Sequence, residues 1–231
     1  MERHILLPSP DLLLLLPMAT VTGFPVAQPS SGNEQQRNAR LAFPNQWPVG
    51  ALETPFKRPG AFCLSVLAPW CMSYALRRRT LRGDMSRYLC CGGAFPCSGH
   101  CGESQAPELC LACEICWCFP SSVAVTRFML QDEGRIRDSP TDTCLLATQF
   151  AVSQCACCCS LAACITGSDE LAQVANCLTC VADIGWCLLC GCLQAQHYDV
   201  LDRRDKGLLP AFGSTQMAPP VLQTMQARGE K

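Results

Sequence analysis

Residues 143–196 decide the fold: TCLLATQFAVSQCACCCSLAACIT (143–166), GSDE (167–170), then LAQVANCLTCVADIGWCLLCGCLQAQ (171–196). No formally charged side chain occurs between Asp142 and Asp169. About 20 helical residues cross the roughly 30 Å hydrocarbon layer, so the first half is long enough to span a bilayer. Gly167 stands where a left-handed C-terminal cap belongs. Ser168 and Asp169 are good N-caps for a second helix from near Leu171, and Glu170 suits the positive end of its dipole. A short turn makes the two helices antiparallel neighbours. If both cross, their outer ends lie on one side and the GSDE turn on the other.

The first helix is not a simple leucine stretch. Ala151, Cys155, Cys159 and Ala163 recur every fourth residue. Such small stripes let helices approach closely in lipid, and they point to a homo-oligomer joined through these faces. Asp183 tests the second helix. A central aspartate costs about 2.5–3.5 kcal/mol on insertion scales, so it needs a partner, a proton or a cavity. Gln149 or Gln154 on the facing helix could supply the partner. A soluble amphipathic helix with Asp183 facing water is the alternative.

Composition narrows the class. The 231 residues contain 21 cysteines, and the net charge is −1. That charge gives no global electrostatic case for nucleic acid. The mean hydropathy of +0.14 lies between that of a soluble enzyme and that of a multi-span transporter. Secreted disulfide frameworks are usually shorter and use even numbers of cysteines. Adjacent runs such as Cys157-Cys158-Cys159 are hard to pair locally, which favours reduced thiols facing the cytosol or buried as small apolar groups.

In chain order, Leu12–Leu16 form a leader-like run too short for ordinary secretion, interrupted by Asp11 and Pro17. Residues 1–54 read as a disordered, proline-punctuated region, and residues 206–231 as a disordered tail. Residues 55–205 form the cysteine-rich, membrane-associated domain. Within it, AFCLSVLAPWCMSYAL (61–76) is broken by Pro69, so a re-entrant or interfacial element fits better than a span. Trp70 and Tyr74 suit the headgroup zone, and Arg77, Arg78, Arg79 and Arg82 would meet anionic lipid. Residues 119–138 read as a solvated connector, helical to Gly134. His197 is expected in solvent at a helix end.

Cys90–Cys118 is the densest chemical stretch. Cys97, Cys101, Cys110, Cys113, Cys116 and Cys118 are the candidate metal ligands, with His100 beside them. C-x2-C spacing lets two thiolates reach one ion, so zinc or another soft divalent metal is the expected cofactor, if any. Inert packing, palmitoylation or disulfides remain alternatives. The ferredoxin-type spacing fails, because one residue separates Cys116 from Cys118 and Phe119 precedes Pro120.

Several blocks carry a family resemblance: APWCMSYALRRRTLRGDMSRYLCC, GAFPCSGHCGES, SSVAVTRFMLQDE, ACITGSDELAQ and CLLCGCLQAQH. Together, over about Pro55–Asp205, they resemble the plant branch of the placenta-specific-eight, cysteine-rich family. The resemblance implies a cysteine-rich membrane protein linked to cadmium or other metal tolerance, or to control of cell number. The family's Cys-Pro-Cys motif is missing here; Pro69-Trp70-Cys71 and Phe95-Pro96-Cys97 are the nearest pieces.

The expected fold is therefore mainly α: a membrane-associated helical hairpin with a cysteine-rich, loop-rich region. The expected function is a non-enzymatic integral membrane protein in metal handling or growth control, with membrane lipid as partner. The positive-inside rule places both termini in the cytosol, taken to be at the plasma membrane. A soluble or peripheral zinc-binding module is the alternative. A thiol oxidoreductase would use Cys110/Cys113 or Cys187/Cys190, but neither pair has the strand–CxxC–helix context.

Overall fold

Prolines set most of the helix boundaries. The residue before a proline is pushed out of the α region, while proline itself fits a helix's first turn. Arg58, Ala68 and Ala106 accordingly stand at φ −136°, −135° and −141°, each directly before a new helix. The computed structural model describes residues 39–93, 98–100 and 102–209. Among them, α1 is Thr54–Lys57, α2 Pro59–Leu67, α3 Pro69–Thr80, α4 Pro107–Trp117, α5 Phe119–Gly134, α6 Pro140–Thr166 and α7 Asp169–Asp205. A parallel ladder pairs β1 (Asn45–Gln46) with β2 (Ile136–Arg137). The chain is mainly α, as its periodicity requires. The expectations for the leader, for the rest of residues 1–38 and for the tail beyond Leu209 fall outside the described residues.

The hairpin forms, and its helices are longer than the apolar stretch alone. Ser139 caps α6 by accepting from the Asp142 N–H at 3.0 Å. Gly167 closes α6 in the left-handed region at φ 64°. Ser168 caps α7, so two residues make the link rather than four. Only 6% of the most apolar 18-residue window of α6 is buried against the rest of the chain, against 39% for α7.

The seam between them differs from the expected one. Ala156 on α6 and Ala175, Ala182 and Trp186 on α7 are buried. Trp186 donates to Ser153 Oγ at 2.9 Å, and Gln149 donates to the Ala182 carbonyl at 2.7 Å. Ala151 and Cys155 of the small stripe are exposed, and Cys159 and Ala163 are half-buried. Asp183 does not pair with Gln149. It lies one residue, or about 100° of helical turn, past Ala182 and is exposed.

The lower half of α7 is the axis of a base built from everything else. Leu130 of α5, Met72 and Leu76 of α3, Trp47 and Ile136 pack with Val200 and Leu201. The supposed connector is largely buried α5, because Val123, Leu130 and the neighbouring small residues face α3 and α7. His197 is fully buried, contrary to the solvent reading, and its ring lies 5.8 Å from that of Trp47. Two helical turns of α7 remain inside the protein beyond the point where its sequence turns polar.

Candidate metal centre

Charged side chains organise the base. Arg127, 2% exposed, bonds Asp138, Asp142 and Gln196. It also stands 4.3 Å over the Trp47 ring. Gln196 in turn donates to Asp142 Oδ2 at 3.0 Å and to the Val49 carbonyl at 2.7 Å. These bonds tie the segment around Trp47–Ala51, α5, α6 and α7 at one point. Among the arginines of the Arg77–Arg82 cluster only Arg77 is buried; Arg78, Arg79 and Arg82 keep surface exposure beside carboxylate partners. Arg77 pairs with Glu114 at 2.7 Å, Arg79 with Asp205 and Arg82 with Glu133.

Glu114 is the pivot of the second polar centre. It is the only charged residue inside LCLACEICWC (109–118). An apolar helix can bury such a carboxylate only if it is paired and fully hydrogen-bonded. Oε1 accepts from Arg77, while Oε2 accepts from the Tyr88 hydroxyl and from the Cys91 N–H, each at 2.8 Å. A second buried carboxylate, Glu103, accepts from the Cys90 N–H at 2.9 Å and from the Gly99 N–H at 2.6 Å. The cysteine loop is therefore wound around two carboxylates. Cys91, whose N–H makes the bond to Glu114, takes the left-handed conformation at φ 49°. Gly92 follows because a Cβ there would meet Val125 at 2.8 Å.

This winding brings Cys90, Cys91 and Glu114 together, with ligand atoms all within 4.8 Å of one another. The two sulfurs are 3.8 Å apart. Two thiolates at about 2.3 Å from a tetrahedral zinc are separated by about this distance. The Cys118 thiol also interacts with that of Cys91. Burial, then the Glu114 charge, pushes both the Cys90 and Cys91 thiols up. The same two causes raise the Tyr88 phenol. The thiols are thus protonated at neutral pH, and a cation must displace their protons.

The six candidate ligands are placed unevenly. Cys118 sits beside Cys91. Cys110 is half-buried on α4, and Cys113 and Cys116 are exposed, turned away from the face that carries Glu114. Cys97 and Cys101 lie outside the described residues. Sequence reading passed over Cys90, Cys91 and Glu114. A lone acid inside a cysteine helix, and a cysteine pair followed by two glycines, were the signals available.

No family model, no curated protein and no solved structure matches the chain.

Proposed function

We propose that this chain is a non-enzymatic integral membrane protein whose α6–α7 hairpin anchors a base that binds a soft divalent cation such as zinc at Cys90, Cys91 and Glu114. The observation that carries the membrane half is α6 itself: uncharged from Thr143 to Thr166, with Ala156 the one buried residue of that stretch. In water, so long an apolar surface would be covered by other parts of the chain. The resemblance to the placenta-specific-eight family supports the same reading, with metal handling as the role. The test is alkaline carbonate washing of membranes that contain the full chain. Retention in the pellet is expected; release into the supernatant would leave the soluble or peripheral zinc module as the better account.

The metal half rests on the sulfur–sulfur spacing and on the nearby carboxylate. Binding a cation releases one proton from each raised thiol. Apparent zinc affinity should therefore climb by up to about a hundredfold per pH unit between pH 6 and 8. Titration of the purified full chain with zinc at several pH values measures the slope. A Cys90→Ser/Cys91→Ser double variant should lose the site, and an unchanged stoichiometry in that variant sinks this half alone.

A further inference from the structure

Two of the helix breaks share one geometry. From α2 to α3 the chain bends by 118°, and from α4 to α5 by 119°. A bend beyond a right angle sends the second helix back toward the side from which the first came. The first limbs, α2 with 9 residues and α4 with 11, reach only about 14–17 Å, roughly half the hydrocarbon thickness. The second limbs are held in the base by buried Arg77 and Arg127. Neither pair can cross a bilayer.

Both bends meet α7 at one level. A Cβ on Gly191 would touch Val66 and Phe62 of α2. Gln194 donates to the Pro69 carbonyl at 3.2 Å. Phe119, at the second bend, packs against the cluster that joins Val123 to Trp186, Leu189, Cys190 and Leu193. Thr54 of α1 donates to the Cys192 carbonyl, so a third element arrives at the same height. The opposite ends of these elements lie further down α7. Arg58 reaches Asp199 and Asp202, Arg79 reaches Asp205, and Leu130 packs with Val200 and Leu201.

Large apolar side chains project at that level without partners. Phe56 is 85% exposed, Leu67 84%, Trp117 80% and Trp70 59%. Above it, α7 from Asp169 to about Leu188 is some 20 residues long, close to 30 Å, which is the thickness of the hydrocarbon layer. Tryptophans favour the membrane–water interface.

We infer that α1 and the two bends form a collar that dips into the base-side leaflet around the hairpin, with Phe56, Leu67, Trp70 and Trp117 seated in lipid. The collar rests on the membrane reading above, and it fixes the depth: the bilayer ends near Leu188–Cys192. Asp183 then lies about 7 Å inside the boundary rather than at the centre, where its cost is lower.

The test uses the full chain in phosphatidylcholine vesicles, some with acyl chains brominated near the headgroup. Trp70→Phe and Trp117→Phe are surface changes that leave the fold intact. Shallow bromines should quench the wild-type fluorescence strongly, and the double variant should lose most of that quenching; buried Trp47, deep in the base, should contribute none, and Trp186, covered in the hairpin seam, sets the small residual. If the double variant is quenched as much as the wild type while the protein resists carbonate, the collar is wrong and the spanning hairpin stands. If carbonate strips the protein from the vesicles, the membrane reading fails, and the collar with it.

Discussion

The base and the hairpin are inside out relative to each other. In the base, Arg77, Arg127, Glu114, Asp142 and Asp199 are buried while ordinary charges cover the outside. In the hairpin, Gln149 and Ser153 turn inward to the partner helix, and Leu161, Ile165, Val174, Val181 and Ile184 are exposed. On the proposed membrane reading, one chain answers two solvents. Where water surrounds it, buried charges need complete networks, and the apolar clusters around Leu130 and Leu111 close over them. Where lipid surrounds it, apolar side chains gain nothing by turning inward, so small and polar residues make the seam.

The largest effect should come from breaking a network in the base. Glu114→Gln leaves the Arg77 cation buried without its counter-charge and weakens the bonds from Tyr88 and Cys91. A buried pair broken on one side costs about 3–5 kcal/mol. Thermal unfolding in detergent should show a loss of that order, with carbonate resistance unchanged. A variant that also washed out of membranes would mean that the two regions do not fold independently, and the contrast would lose its meaning.

The next effect probes the hairpin's solvent directly. Val181 is exposed on α7. Val181→Arg on a water-facing surface would change stability by no more than about 0.5 kcal/mol. On a lipid-facing surface it should cost about 3 kcal/mol of insertion free energy. A glycosylation reporter beyond Ser168 measures the inserted fraction in the full chain. An unchanged fraction would make α7 an ordinary surface helix.

The hairpin was legible because its signals are local: an uncharged run, then Gly-Ser-Asp, then a second run. The break at Pro69 was equally plain. The base was hidden because its order is non-local. Glu114 makes sense only beside Arg77 and Tyr88, and Asp142 only beside Arg127 and Gln196, which lie 15 and 54 positions away. Read alone, each charge looks solvated. The same limit holds for the thiols: C-x2-C spacing points to Cys110, Cys113 and Cys116 on α4, whereas the cluster is assembled by a left-handed turn at Cys91 around a carboxylate from another element.

A smaller effect sharpens the seam. A side chain at Gly185 would collide with the Gln149 carboxamide. Gly185→Val should cost about 1–3 kcal/mol by overpacking. Gln149→Ala in the same chain should recover part of it by making room. Detergent unfolding of the single and double variants measures the coupling; strictly additive losses would show that the two helices do not meet through this pair.

The smallest effect lies at the hairpin's far end, where a single cause can be isolated. Gly167 stands at φ 64°, and a Cβ there would find nothing within 4 Å. Any cost of substitution is therefore conformational and owes nothing to packing. Gly167→Ala forces an L side chain into the left-handed region and should cost about 1 kcal/mol. Asparagine tolerates that region, so Gly167→Asn should cost visibly less. The order Gly, Asn, Ala in unfolding temperature is the expected outcome. Equal stability of all three would mean that the left-handed cap is not what joins the helices, and that α6 and α7 are held antiparallel by their seam alone.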